Sequence, residues 1–392
     1  MNAKAQSPKA EGERPTGPLA GLRVLEFAGL GPAPFACMML ADMGADVVTV
    51  DRPNTPPPDV RQLVRRGRTQ LVADLKDPSA KDGIMALVDQ ADVLVEGFRP
   101  GVMERFGLGP DALLARQPRL IYARMTGWGQ SGPLAPTAGH DINFIALSGA
   151  LHAIGTAGGP PVPPLNLVGD YGAGSLYLLS GILAALYERD RSGRGQVVDA
   201  AISDGVVSLM THFVAGALRG QFLEQRGCNR LDGGAPYYAV YETADHQHVA
   251  VGAIEAPFFQ LLCERLGVRA DLRDAQEDRA RWPELRAELS RIFATRTRRD
   301  WQALFEHTDA CCAPVLSISE AADHPHHLAR QSFVMVDGVR QPAPAPRFSR
   351  TTTQVPPSPA REAVTMEAVR QRWAQTADRF PQDHAVHNPR FQ

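Results

Sequence analysis

Along the first third of the chain, short runs of aliphatic and β-branched residues alternate with stretches whose apolar positions recur every three to four residues. Residues 22–27, 46–50, 69–73, 92–96 and 120–125 read as buried strands, with helices such as 35–43 and 83–90 between them. Strand and helix in repetition predict an α/β fold built on a parallel sheet. The long apolar faces of 174–189 and 197–219 predict two more helices, which cover the sheet or reach towards a second body. From about Tyr238 the pattern changes. Segments 238–242 and 248–251 alternate like paired strands about a turn at 244–247, and helices follow through 301–306, which predicts a smaller α+β domain. Beyond Pro342 the chain is rich in proline and cannot form a compact unit alone, so it is expected to lie on the first domain.

Length and charge narrow the function classes. A chain of 392 residues suggests about two domains. The 41 basic and 43 acidic residues leave a formal charge of −2 without a long basic run, so neither nucleic acid nor an anionic membrane is expected as a partner. Residues 171–187 carry no charge, yet they only reach the lower length limit for a bilayer span and are bounded by Asp170 and by Glu188, Arg189 and Asp190. A core helix is the expectation there. The five cysteines form no CxxC pair, which fits a reducing cytoplasm. The first seventeen residues are polar, lack the apolar core of a signal peptide and are expected to be a disordered tail.

The chemistry concentrates in two glycine-flanked segments, GHDIN at 139–143 and PPLNLVGDYGAG at 163–174. They hold His140 and Asp170. Histidine and aspartate side chains have ordinary pKa values of about 6.5 and about 3.9. Such a pair suits a reaction in which one group gives a proton and another takes one. Each also has a plainer reading: His140 as a satisfied loop residue, and Asp170 as the N-cap carboxylate of the helix that follows it. The start of that helix would also offer free amides to an enolate oxygen. The turn Gly29–Pro34 departs from the dinucleotide fingerprint, because Pro32 follows Gly31 and Pro34 stands where a glycine is needed, so an NAD site is not expected. Asp51 is followed at once by Arg52, which suits a phosphorylated nucleotide. Lys76 and Arg105 read either as surface ion-pair partners or as ligand contacts. Glu255 reads as a helix start. In the run around His324, His326 and His327, a proline interrupts the ligand spacing, and Cys311 and Cys312 lie outside it, so no metal is expected.

These segments, together with GLRVLEFAGLGPAPF at 21, DRP at 51, ADLK at 73, FRPGVMERFGLGP at 98, GRGQ at 193 with Asp199, and DGGAPYYAVYETAD at 232, resemble the α-methylacyl-CoA racemase branch of the class III CoA-transferase superfamily. The resemblance covers nearly everything after Pro18. It implies a large Rossmann-like domain (18–200 and 335–392), a helical linker (201–237), a small domain with its return linker (238–334), and an interlocked homodimer. It also implies that Arg52, Ala73, Asp74, Leu75, Lys76 and Arg105 meet coenzyme A. His140 becomes a catalytic histidine, with Gly139 leaving room for a thioester and Asp141 and Asn143 orienting the histidine or the pantetheine amides. Ile142, Phe144, Asn166 and Tyr238 join them as substrate-side positions. Asp170 becomes the opposing base, and Glu255 a carboxylate that approaches the histidine from the partner chain. The implied activity is racemisation at C2 of a 2-methylacyl-CoA, with no cofactor beyond the coenzyme A of the substrate. Two alternatives stay open: transfer of CoA with Asp170 as nucleophile, and a silent acyl-CoA-binding protein.

Overall fold

A computed structural model of the chain describes residues 16–379. They divide into two compact units. The first comprises the residues up to 148, 165–209 and everything from 328, and the second comprises 149–164 and 210–327.

The first unit is built on β1 (Arg23–Phe27), β2 (Asp46–Asp51), β3 (Arg68–Val72), β4 (Val93–Glu96), β5 (Ile121–Thr126) and β6 (Val197–Ala201). They form one sheet in the order β3-β2-β1-β4-β5-β6, and every neighbouring pair is parallel. The strands join through α1 (Pro32–Asp42), α2 (Pro78–Val88), α3 (Val102–Arg105), α4 (Pro110–Arg116) and α5 (Asp141–Leu147), then α6 (Leu176–Ser192), with α7 (Ile202–Leu209) closing the series. Because crossover helices lie over the sheet, the central strands are buried along nearly their whole length, with the buried Glu26, Thr49 and Arg124 set among their apolar residues. Leu25, Phe27, Val48, Leu94 and Tyr122 pack on one face with Ile84 and Leu87 of α2. The same face is closed by the C-terminal helix Met366–Arg379, whose Val369 and Trp373 are fully buried. Trp373 Nε1 and the Arg372 guanidinium both donate to Asp46.

The proline-rich segment after Pro342 belongs to this unit. The Val364 amide donates to the Gln70 carbonyl. Arg66, paired with buried Asp42, also donates to Gln341 Oε1 and the Pro342 carbonyl. Two elements differ from the sequence reading. Residues 197–219 are not one helix: Val197–Ala201 is the edge strand β6, and helices follow it. The helix expected from 174 begins earlier, as a π-helical segment Leu167–Ser175 that runs into α6. By length and composition Leu167–Ser192 would cross a membrane, with 39% of its most apolar stretch buried inside this chain. Leu178, Ile182 and Ala185 are buried, α6 packs on β5 and β6, and Arg189 donates to Asp92.

The second unit holds an antiparallel sheet of β7 (Tyr238–Glu242), β8 (His248–Gly252) and β9 (Cys312–Pro314). Tyr237, Phe259, Trp282, Phe293 and Trp301 form its aromatic core with edge-to-face contacts, among them Tyr237 on Phe259.

Candidate active site

In an open parallel sheet, ligands bind beyond the carboxyl ends of the strands, near the point where strand order reverses. Here that point lies between β1 and β4. The turn after β1 carries Gly31 at φ 72°, a left-handed conformation that glycine adopts without cost. A Cβ there would lie 3.2 Å from Asp170 Oδ2, so the turn and the Asp170 carboxyl are immediate neighbours.

Asp170 sits within the π-helical segment Leu167–Ser175, a form that recurs at functional sites. It is not the N-cap expected from the sequence. Its amide donates to Asp141 Oδ1 at 2.6 Å, so this helix start does not offer that donor to an enolate. The buried Ser175 hydroxyl lies 2.8 Å from the Pro32 carbonyl and 3.0 Å from the Asp170 carbonyl. Asn166 Nδ2 donates to the Asp170 carboxylate at 3.3 Å. Tyr171 stacks on Phe35 of α1, ring centres 4.4 Å apart. The Asp170 backbone is therefore held at its amide and its carbonyl, its carboxylate is held by Asn166, and the residue is only half-buried. Burial pushes its carboxyl above the ordinary aspartate range. Asn166 pulls it down, the Asp141 carboxylate pushes it up, and the charge of His140 pulls it down.

His140 stands immediately before α5, in extended backbone, and its side chain is exposed. Its amide donates to Asn143 Oδ1 at 3.0 Å, which fixes the entry of the chain into the helix. Asp141 is buried and Phe144 is buried, while Ile142 and Asn143 face outward. Phe144 meets Trp128 edge to face at 4.8 Å. Gly139 is required by that packing, since a Cβ would come within 2.7 Å of the Phe144 ring. The sequence reading paired Asp141 with the histidine or a pantetheine amide, whereas its carboxylate takes the Asp170 amide. The structure thus brings His140, Asp141, Asn143, Phe144, Asn166 and Asp170 together. It also adds Gly31 and Ser175, which the sequence did not single out.

The expected nucleotide-end residues follow three strands of the sheet, β3, β2 and β4. Arg52 comes directly after β2, Ala73–Lys76 after β3, and Arg105 ends α3 beyond β4. The side chains of Arg52, Lys76 and Arg105 are exposed and have no ion-pair partner among the described residues. Ala73 is buried, Leu75 is half-buried against the core and Asp74 is exposed, accepting the Lys76 amide. Asp51, by contrast, is occupied: its carboxylate pairs with Arg65 and accepts from Gln70 at 3.0 Å. It is not available to a ribose, in keeping with the broken fingerprint at Gly31-Pro32.

Glu255 and Tyr238 belong to the second unit. Within that unit they share one end of the sheet. Tyr238 opens β7 opposite Gly252, and Glu255 stands three residues further on at the start of the helix Ala256–Leu266. Both are exposed. Cys311, which the sequence reading passed over, lies close enough to Glu255 for that charge to help push its thiol up, after burial. The His327 ring meets those of His324 and His326 edge to face, and among the described residues no three metal-ligating side chains converge.

Residues 19–363 match CoA-transferase family III. The chain belongs to that family. It is 44% identical to the alpha-methylacyl-CoA racemase of Mus musculus over 344 residues, which cover 88% of this chain and 89% of that protein. It is also 44% identical to the alpha-methylacyl-CoA racemase of Homo sapiens, over 85% of this chain and 87% of the other. Among solved structures, Rv3272 from Mycobacterium tuberculosis superposes with a TM-score of 0.74 at 30% identity, covering 88% of this chain and 97% of that one. Membership of CoA-transferase family III accounts for the doubly wound sheet.

Proposed function

We propose that the chain interconverts the two configurations at C2 of a 2-methylacyl-CoA by 1,1-proton transfer. The observation that carries this reading is the direct link between the two segments: the residue after His140 accepts the amide of Asp170 at 2.6 Å, so two groups of different basicity share one patch. One of them removes the α-proton, a planar enolate thioester forms, and the other returns a proton to the opposite face. The raised carboxyl of Asp170 keeps its proton to higher pH than an ordinary aspartate, which suits the proton-giving role. The amides of Asp141 and Ile142 open α5 without an acceptor inside the helix and stand next to His140, where they can hold the enolate oxygen. Arg52, Lys76 and Arg105 meet the phosphates of coenzyme A, which enters as part of the substrate, and no separate cofactor takes part. The relatives named as racemases at 44% identity support this reading.

The proposal includes a homodimer in which Glu255 of one chain fixes the tautomer of the partner's imidazole. Leu176, Tyr177 and Tyr187 of α6 and Val207 and Leu209 of α7 are exposed, an apolar surface of the kind that interfaces cover. Refolding a mixture of His140→Ala and Glu255→Ala chains should restore activity; verified heterodimers without activity would exclude a shared site. The reaction itself is tested by incubating a 2-methylacyl-CoA with the protein in deuterated water. Label at C2 with inversion is the expected result. Acyl transfer that needs an acceptor acid, with no label at C2, would instead select the CoA-transferase chemistry of the family, with Asp170 as nucleophile.

A further inference from the structure

Asp141 is 7% exposed and sits at the first position of α5, adjacent in sequence to His140. Its Oδ1 accepts the Asp170 amide at 2.6 Å, a short distance for such a bond and one expected when the acceptor is charged. Its Oδ2 is buried and has no hydrogen-bond partner. A buried carboxylate with one oxygen unmet is costly unless something depends on its position. The surroundings are shaped to keep it there. Gly169 leaves the space that Asp141 fills, since a Cβ at 169 would stand 2.3 Å from Oδ1.

We propose that Asp141 is a positioning residue that locks the Asp170 peptide to the helix carrying His140, so that the two proton-transfer groups move as one body. The proposal rests on the racemase reading above for its catalytic consequence, but the lock itself is a property of the fold. The hydrogen bond spans 29 residues of sequence and fixes the register of two segments that also pack on each other. Displacing either base by about 1 Å is enough to cost a large factor in rate, because proton transfer needs hydrogen-bond geometry to the reacting carbon. The same carboxylate also acts on Asp170 through its charge. The ionisable groups on the elements packed against the π-helical segment are Asp141 on α5 with His140 before it, Cys37 and Asp42 on α1, Asp204 on α7, and Tyr177, Tyr187, Glu188, Arg189, Asp190 and Arg191 on α6. Of these, Asp141 and His140 bear on Asp170.

Two substitutions separate position from charge. Asp141→Asn keeps an oxygen that accepts the Asp170 amide and removes the negative charge, whereas Asp141→Ala removes both. In the full chain labelled with [4-13C]aspartate, the Asp170 carboxyl is assigned by its loss in Asp170→Asn and titrated by NMR. In Asp141→Asn it should titrate at lower pH than in the wild type, because a like charge beside it has gone. An unchanged titration would overturn the charge effect alone; the lock is read at the Asp170 amide, whose hydrogen exchange should quicken in Asp141→Ala, and an unchanged exchange rate there would overturn it, whether or not the protein turns over any substrate. In the exchange assay, Asp141→Ala should lose on the order of ten- to a hundredfold in kcat with KM for the acyl-CoA unchanged, and Asp141→Asn should recover most of it. Wild-type kcat in a folded Asp141→Ala protein would also overturn the proposal. Absence of C2 exchange in the wild-type protein would instead remove the racemase reading, leaving the Asp170 amide to judge the lock; if the alanine variant does not fold, Asp141→Leu, which has nearly the same shape and no acceptor, takes its place in both measurements.

Discussion

Gly169→Ala adds one methyl group to the segment that carries Asp170, and the structure states what that methyl meets. The backbone at 169 is not in the left-handed region, so alanine brings no conformational penalty and the effect is steric. The new Cβ would lie 2.3 Å from Asp141 Oδ1, 2.8 Å from its Cγ and 3.1 Å from Ile145 Cγ2. Restoring ordinary contact moves the carboxylate by about 1 Å, which stretches the 2.6 Å bond to the Asp170 amide beyond hydrogen-bond range. Overpacking of this kind costs about 1–3 kcal/mol and loss of a charged hydrogen bond about 1.5–3 kcal/mol. One displacement causes both, so the expected total is about 2–3 kcal/mol rather than their sum. Thermal melting and C2 exchange are measured in a double-mutant cycle with Asp141→Ala. In the wild-type background Gly169→Ala should lower the melting temperature by several degrees and the exchange rate by about tenfold or more. With Asp141 truncated, only Ile145 must give way, by a few tenths of an ångström, and the same methyl should cost well under about 1 kcal/mol. An equal cost in both backgrounds would refute the assignment of the clash to Asp141.

Asp170→Asn should stabilise the fold at neutral pH. The carboxyl is raised in the folded chain, so the stability it contributes is complete below its unfolded value of about 3.9 and is lost as pH rises through the folded value. The gain in melting temperature of the variant should therefore appear at about pH 7 and vanish near pH 3, while a pH-independent difference would show that ionisation of Asp170 is not its cause. Arg52→Ala should raise KM for acyl-CoA by about tenfold or more and leave kcat nearly unchanged, because the nucleotide end supplies binding remote from C2. An unchanged KM would take Arg52 out of the binding site.

The first five strands were legible because each carries a short run dominated by aliphatic and β-branched residues, and 46–50 or 92–96 fit little else in a chain of this pattern. The edge strand β6 was not. Val197 is 39% exposed and Asp199 turns outward to accept the Gln130 amide, so Val197–Ala201 lacks the continuous run and merges by eye with the helix after it. The same split applies to the site. His140 and Asp170 stood out by residue type among glycines, and Arg52 by its place after a strand. The contact between Asp141 and Asp170 joins positions 29 apart and is decided by the absence of a side chain at Gly169, which no local pattern displays. The π-helical winding at Leu167–Ser175 escaped for a related reason. Its composition, rich in glycine and small residues, reads as a loop leading to a helix, and the winding is set by Ser175 and Tyr171 meeting α1 and the turn before it.

The return of the last helix to the first strands has a consequence for how the chain is made. Synthesis delivers all six strands by residue 201 and the whole second unit by residue 327, yet the face formed by Leu25, Val48 and Leu94, partly covered by α2, stays open where Val369 and Trp373 pack until those residues leave the ribosome. At about 5–20 residues per second, that exposure lasts on the order of ten seconds or more after the sheet residues have been made. During that interval the nascent first unit presents a greasy sheet surface to any chaperone or neighbouring chain, while the inserted unit can already be finished. A stop codon or a protease cut just before Val369 would make that interval permanent.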